Sequence, residues 1–231
     1  MSAATMQMLL GSVGSQFTIV DLGTATDTPN SNCVLTVPAG GVPAGALIVV
    51  LTGESSGSTA GSLADTAGNI YTTDFTLLPN GTASGNGFGM MFHVANCAAL
   101  TAGQSITYTK HISADGSAMS AFYVKGVAAS SVVDVSASAT GSSASPSVTS
   151  PTPAQAGDLF VGVLVSSGST IMHTQDTSHG WAAPPDFVAS GFLPNISGGQ
   201  KANPAAAALT FAPTLSASAP WAAAIVAFKK A

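Results

Sequence analysis

An internal repeat limits the folds that are open to this chain, because it requires two units that can fold in the same way. The stretch AGALIVVLTGESSGST (44–59) recurs as AGDLFVGVLVSSGST (156–170), at an offset of 112 (156 − 44). Further on, ITY (106–108) recurs as LTF (209–211) at an offset of 103 (209 − 106), and the last strands match at the same offset. The chain is therefore predicted to consist of two related halves with one strand order.

The apolar residues come in short runs or in strict alternation between turn residues, and this pattern indicates β-strands. Strands are predicted at 17–22, 32–37, 46–52, 69–78, 88–95, 105–110, 118–125, 132–136, 158–165, 186–192, 207–212 and 221–230. The low-complexity stretch 137–157 is interpreted as a connection with one edge strand near Val148. Short helical turns are expected only near the N-terminus and at 96–103. Regular turn signals between short strands favour a sandwich or a barrel.

The domain organisation follows from the repeat. Residues 1–15 lie outside it and are interpreted as an N-terminal arm. Residues 16–231 are predicted to form a single β-sandwich domain, with its halves at about 16–127 and 128–231. Because each half has few strands and the connection between them is short, we expect one sandwich rather than two packed lobes.

Charge is scarce in this chain. Charged residues make up 6% of the sequence, against about 25% in ordinary soluble domains. There are five Lys and no Arg, and the net charge is −5, which argues against a nucleic-acid partner because phosphate binding depends on clustered basic residues. No apolar run approaches the roughly 18 residues of a membrane span, so no membrane partner is expected. A charge-poor surface repels its neighbours weakly, which suits a protein that works in an assembly.

A hydrolase pattern occurs at the end of the repeated strand. Gly53-Glu54-Ser55-Ser56-Gly57 matches the G-x-S-x-G of a serine hydrolase, in which the serine sits on a sharp strand-to-helix turn. The second copy has VLVSSG here and lacks the first glycine and the glutamate. The segment that follows the first copy, STAGSLADTAGN, has no helical period. The pattern is therefore interpreted as a core strand with a small-residue turn, and no catalytic residue is assigned.

The histidines and acidic residues show no ligand spacing. His93, His111, His173 and His179 form no H-x-H or H-x-x-x-H pair, so no metal ligand is assigned. DTAGN (65–69) lacks the alternating ligands of a calcium loop and is interpreted as a hairpin turn. No cofactor is expected.

Two cysteines and one tryptophan are the remaining candidates. Cys33 and Cys97 allow either one disulfide or two buried thiols, and the sequence leaves both alternatives open. Trp181 lies beside His179 in the loop-like stretch HGWAAPPDF, and these two residues are candidates for ligand contact, with the indole as a ring on which a sugar would stack. Trp221 opens the last strand and is interpreted as packing.

Several stretches together resemble a class of jelly-roll-like β-sandwich modules that occur in bacteriophage virion proteins and in bacterial surface proteins. The stretches are PAGALIVVLTG, DTAGNIYT, FYVKGVAASSVVDVSASATGSSASPSVTSPTPAQAGDLFVGVLV, DTSHGW and APWAAAIVAF. The resemblance covers roughly residues 16–231. It implies a jelly-roll-like antiparallel β-sandwich in which both halves form one two-sheet sandwich, and it carries no catalytic residues.

The resemblance and the scarcity of charge favour a non-enzymatic virion structural protein, with a capsid decoration protein that stabilises the shell as the first hypothesis. Its partners would be the major capsid or tail protein and further copies of itself. The start, MSAATMQMLLGSVGSQF, has no basic n-region, so assembly in the host cytoplasm and location in the virion are expected. The alternatives are a tail or fibre component, a secreted carbohydrate-binding or adhesion module that contacts a bacterial cell surface, and a hydrolase acting through Ser55.

Overall fold

The structure is all β. The computed structural model describes residues 17–27, 31–54, 61–79, 87–111, 116–168, 170–182 and 195–231. The strands in these ranges are β1 (Thr18–Thr26), β2 (Cys33–Thr36), β3 (Leu47–Glu54), β4 (Ser62–Asp65), β5 (Thr72–Leu77), β6 (Phe88–Val94), β7 (Ser105–Thr109), β8 (Ser117–Lys125), β9 (Val133–Ser143), β10 (Val148–Thr149), β11 (Leu159–Ser166), β12 (His173–Thr174), β13 (Asn195–Ala202), β14 (Thr210–Phe211), β15 (Thr214–Leu215) and β16 (Ala219–Phe228). All pairings between them are antiparallel, which confirms the predicted class. Within these ranges, none of the chain forms a helix long and apolar enough to span a membrane.

Each half folds into a large sheet and a smaller one. In the first half the large sheet has the order β1-β8-β3-β6-β5 and the smaller sheet the order β2-β7-β4. Strands 1, 8, 3 and 6 share one sheet while 2, 7 and 4 share the other, as in a jelly roll of two sheets. In the second half the large sheet has the order β13-β11-β16-β9, and the short pairs β10-β14 and β12-β15 take the place of the smaller sheet. The two halves therefore have related topologies, as the repeat predicts.

The strand register refines the repeat. Val49 of β3 pairs with Phe122 of β8, and Val161 of β11 pairs with Val226 of β16. Strands β3 and β11 are therefore related by an offset of 112 residues (161 − 49). Strands β8 and β16 are related by an offset of 104 (226 − 122), instead of the 103 predicted from the sequence. The difference matters because a shift of one residue in a strand moves every side chain to the opposite face.

Three apolar layers separate the sheets. The central layer lies between the two large sheets and includes Leu47, Val49, Leu51, Val161, Val163, Val165, Ala224 and Val226. The first outer layer lies between the large and small sheets of the first half and includes Ile48, Val50, Phe92, Ile106 and Tyr108. The second outer layer lies between the large sheet of the second half and its short strand pairs and includes Phe160, Leu164, Phe211, Ala223 and Ile225. The sheets thus stack in four levels.

This stacking differs from the single two-sheet sandwich that the sequence predicts for both halves together. In each half an apolar layer lies between the large sheet and the shorter strands, and residues of both large sheets share the central layer. The reason lies in β3 and β11, which are buried at every position. A sheet that is apolar on both faces must be covered on both sides, and the small sheet of each half covers only one. The assignment of 16–231 to one domain stays a prediction.

The first part of the low-complexity stretch, 137–143, belongs to strand β9 and is not a connection. β9 runs on to Ser143 because alternate residues of this segment, Ala137 and Ala139 among them, pack on the second outer layer. The short strand β10 confirms the edge strand expected near Val148.

Other elements were harder to predict. The strands β4, β12, β13 and β15 have no counterpart in the sequence prediction, and 96–103 forms turns and one bridge, at Leu100, instead of a helical turn. The predicted strand at 186–192 and the predicted arm at 1–15 lie outside the described residues.

One glycine shows how closely the second outer layer is packed. Gly162 lies in the middle of β11, and a methyl group at this position would stand 2.7 Å from the ring of Phe211. That ring is fully buried and also packs edge-on against Trp181, with ring centroids 4.9 Å apart. The glycine is therefore required by the aromatic ring that lies on it.

We expect Gly162→Ala to lower the free energy of unfolding by about 1 to 3 kcal/mol, because the added methyl group forces the Phe211 ring out of a packed layer. Urea unfolding followed by tryptophan fluorescence measures the change. The control is Thr36→Ala on the exposed side of β2, which should alter stability by no more than about 0.5 kcal/mol. If Gly162→Ala were as stable as the wild type, the second outer layer would be able to accommodate the added methyl group without strain.

Candidate functional site

The loop that carries the predicted ligand contacts is organised by Asp176. Its carboxylate accepts hydrogen bonds from the Ser178 hydroxyl at 2.9 Å, the His179 amide at 3.2 Å and the Ala212 amide at 2.7 Å, and it lies 2.7 Å from Nδ1 of His179. Burial opposes ionisation of this carboxyl, but the hydrogen bonds outweigh burial and hold the pKa of Asp176 below its ordinary value. The carboxylate is thus used to fix the turn.

The indole of Trp181 is part of the core. It is only 3% exposed, its Nε1 donates a hydrogen bond to the Thr210 carbonyl at 2.8 Å, and its ring packs edge-on against Phe211. The indole therefore offers almost no surface on which a sugar could stack, while ligand contact by this loop, whose residues 183–194 lie outside the described residues, stays a prediction. His179 remains accessible, with its side chain 50% exposed.

The matching turn of the first half is built in the same way. Asp65 accepts hydrogen bonds from the Ala67 amide at 2.9 Å, the Asn69 amide at 3.1 Å and the Tyr71 hydroxyl at 2.9 Å. These contacts confirm that DTAGN is a turn stabilised by its aspartate. The turn does not join a hairpin as predicted, because β4 pairs with β7 and β5 pairs with β6 in the other sheet. Within the described residues, no group of three or more His, Cys, Asp or Glu side chains is arranged to hold a metal ion.

In the second half, a histidine forms hydrogen bonds with two serines on neighbouring strands. Nε2 of His173 lies 2.7 Å from Oγ of Ser166, and its Nδ1 lies 2.7 Å from Oγ of Ser197. Burial lowers the pKa of His173 to about 4, so at neutral pH the ring is uncharged and can donate to one hydroxyl while it accepts from the other. The three residues lie on β12, β11 and β13 and join these strands.

The Ser166–His173 pair has the separation of a nucleophile and its base, but not the surroundings. Ser166 has no exposed surface, and the third position holds the hydroxyl of Ser197, where a catalytic triad has a group that orients the base and stabilises its charge. We therefore interpret the array as structural. Nothing in the sequence indicated this array except a polar residue, Ser166, at the end of an apolar strand.

The described residues of the hydrolase pattern, Gly53 and Glu54, also have structural contacts. Gly53 belongs to β3 and faces Ile196, and Glu54 is fully buried. The Glu54 carboxylate accepts hydrogen bonds from the Tyr108 hydroxyl at 2.8 Å and from the His111 amide at 3.1 Å. Ser55, Ser56 and Gly57 lie outside the described residues. The described part of the pattern is a strand end tied to the core, while the absence of enzymatic activity stays a prediction.

The two cysteines are free, buried thiols. Burial, followed by the nearby charge of Asp27, raises the pKa of Cys33 to about 12. Burial also raises the pKa of Cys97, whose Sγ donates to the Pro43 carbonyl at 3.5 Å. Of the two alternatives that the sequence left open, the structure has the buried thiols and not the disulfide.

Much of the chain's small number of charges is used inside the protein. Lys110 and Asp27 form an ion pair of 2.8 Å with both side chains only 2% exposed. Among the described residues, the charged side chains that are buried are those of Asp27, Glu54, Asp74, Lys110, Asp158 and Asp176. The surface is therefore even poorer in charge than the composition indicates.

The large sheets have four edge strands, and three of them are interrupted or covered. β1 shifts register between Asp21 and Gly23, and β5 shifts between Thr73 and Phe75. β13 is bridged on its outer side by Ala182. Bulges and covering segments are the usual means by which proteins prevent pairing at a sheet edge.

The fourth edge, β9, has β16 as its only paired neighbour among the described residues. Its register shift lies at its start, beside Asp134, and 135–143 then run regularly along β16. Among the described residues, none outside β16 forms a backbone hydrogen bond with this run. The side chains on one face are exposed and uncharged: Ser136, Ser138, Thr140 and Ser142. We refer to 135–143 as the open edge. It is the strongest candidate for an interaction site in the described part of the chain.

Comparison with known proteins adds no relative to these observations: no protein-family model matches the chain, and none of the curated proteins matches it.

The thiol assignment can be checked by chemistry. We expect a thiol reagent to find no reactive cysteine in the native protein, because both thiols are buried and deprotonate only at high pH. On unfolding in denaturant without reductant, both Cys33 and Cys97 should react. A Cys33→Ser variant serves as the control and should release one thiol. No thiol in the unfolded wild type would show that a disulfide forms in solution.

The His173 array predicts a pH-dependent stability. Its folded pKa of about 4 lies below the ordinary value of 6.5, so the unfolded chain binds the proton more readily and stability falls as the pH drops through this window. Relative to His173→Asn, the wild type should lose about 3 kcal/mol of its free energy of unfolding between neutral pH and pH 4.

Urea unfolding at a series of pH values measures this difference. Thr36→Asn, which adds an amide on the exposed side of β2, is the control and should follow the wild-type profile. A wild-type and His173→Asn difference that stays constant with pH would contradict the buried, uncharged histidine.

Proposed function

We propose that this chain is a non-enzymatic structural protein of a bacteriophage virion, and within that class a capsid decoration protein that binds and stabilises the shell. The observation that carries the proposal is a β scaffold whose charge-poor surface exposes the open edge. This combination fits a protein whose work is to associate.

The uncharged surface favours association because little electrostatic repulsion has to be overcome when copies are crowded together. Six charged side chains are withdrawn into the interior, where Asp27 pairs with Lys110 and Glu54 binds Tyr108. A protein that remains dispersed in solution usually keeps such charges on its surface. Here the described surface offers mainly Ser, Thr, Ala and Gly.

The open edge supplies a mode of binding. A strand that lacks a neighbour presents a row of N–H and C=O groups, and another chain can add a strand to it. Backbone hydrogen bonds then provide affinity without charged side chains, which matches the scarcity of charge. The partners in this proposal are the major capsid or tail protein and further copies of the chain.

The buried polar groups support a structural role over a catalytic one. Ser166, His173 and Ser197 bond to one another, and Asp65 and Asp176 bond to their own turns. Side chains that an enzyme would direct at a substrate are used here to join strands and fix loops.

The alternatives are a tail or fibre component and a secreted carbohydrate-binding or adhesion module at a bacterial cell surface. The sugar-binding alternative relied on Trp181, which is buried. A tail or fibre location is compatible with the same open edge, and copy number distinguishes it from a decoration role.

Quantitative mass spectrometry of virus particles purified from the source culture tests the proposal. A decoration protein should be present in a number of copies comparable with that of the major capsid protein, and particles that lack it should still assemble but break at a lower temperature. A few copies per particle would overturn the decoration role in favour of a tail or fibre. Absence from particles, with the protein on cells or in the medium, would overturn the virion assignment.

A further inference from the structure

We infer that the open edge pairs with the open edge of a second copy of this chain, so that two four-stranded sheets join into one antiparallel sheet of eight strands. The inference names a partner for the proposed structural protein and rests on that proposal for its biological setting. Its physical basis is the geometry of β9 alone.

The open edge is long and regular enough to form a stable ladder. It comprises the nine residues 135–143, which follow β16 without a register shift. At about 3.3 Å per residue such a run is about 30 Å long. Uncharged strand edges of this length are normally avoided in soluble proteins, because they pair with other chains.

The sequence of the open edge is compatible with itself. An antiparallel pair centred on Ala139 places Ser138 opposite Thr140 of the second copy, and Ser136 opposite Ser142. Hydroxyl side chains that face each other across two strands form favourable cross-strand pairs. No like charges meet, since the one charged residue of β9, Asp134, lies outside the run and accepts a hydrogen bond from the Ala154 amide at 2.6 Å.

A two-fold arrangement is the simplest one that uses the whole run. When the same strand is supplied by both copies, each residue of the open edge finds a partner at the position that mirrors it about Ala139. Closed two-fold dimers built on one shared surface patch are also the commonest symmetric assemblies. The second copy is therefore the occupant that the edge fits without any further assumption about another protein.

The repeat provides a matched comparison inside the same molecule. Thr24 of β1 pairs with Ser120, and Ser138 of β9 pairs with Ala224, so Thr24 and Ser138 occupy equivalent places (224 − 120 = 104, the offset of the last strands). β1 carries a bulge next to this position, where the Gly23 amide bonds to Oδ1 of Asp21 at 2.8 Å. One half thus protects its edge, and the other half leaves the equivalent edge open.

Sedimentation equilibrium of the purified full chain tests the inference, with Ser138→Lys and the matched control Thr24→Lys. Both changes add one lysine at an exposed position of an edge strand. Because the paired surface is small, we expect a weak dimer that forms over roughly 10 to 500 micromolar. Ser138→Lys brings two lysines close together across the two-fold axis and should weaken dimerisation at least tenfold, whereas Thr24→Lys should dimerise as the wild type does.

Circular dichroism and the melting temperature establish that each variant is folded. Should Ser138→Lys fail to fold, Thr140→Lys gives the same test from the neighbouring exposed position. A wild type that stays at the monomer mass of 22.6 kDa over the whole range would overturn the inference, as would equal dimerisation of the wild type and the lysine variants of β9. Neither result bears on the virion proposal, which is tested by the mass spectrometry of particles.

Discussion

The packing of the two large sheets against each other determines most of this structure. Their contact is close: a methyl group at Gly89 would stand 2.3 Å from Cγ2 of Val165, and the ring of His93 packs edge-on against Phe228 with centroids 5.6 Å apart. Because the central layer takes residues from both halves, neither half can bury the inner face of its large sheet alone. The outer layers, the loops and the sheet edges are all arranged around this contact.

The same arrangement explains where the polar residues lie. With four levels of sheet there are many strand ends to secure, and the chain uses its few charged and imidazole side chains for that purpose. Glu54 binds β7 through Tyr108, while His173 joins three strands through Ser166 and Ser197. What remains for the surface is small and uncharged. The neutrality that we connect with assembly is thus partly a consequence of how the interior is held together.

The sequence was sufficient for the class, the repeat and most of the long strands, because apolar alternation and turn residues are local signals. It was insufficient wherever the outcome depends on what covers a face. The sequence around Trp181 predicts a loop residue, but the indole is part of the second outer layer. The Ser- and Ala-rich end of β9 reads as a linker because small side chains give little alternation in hydropathy. The Ser–His–Ser array depends on residues that only the folded sheet brings together.

The proposed assembly requires the open edge to be unpaired in the monomer and paired between copies. Hydrogen exchange of backbone amides, measured on the full chain at low and at high protein concentration, tests this directly. The amides of 135–143 that point away from β16 should exchange fast in dilute protein and become protected as concentration rises, while exchange in β1 stays the same. Exchange in 135–143 that is independent of concentration, or protection that rises equally in β1, would contradict the account.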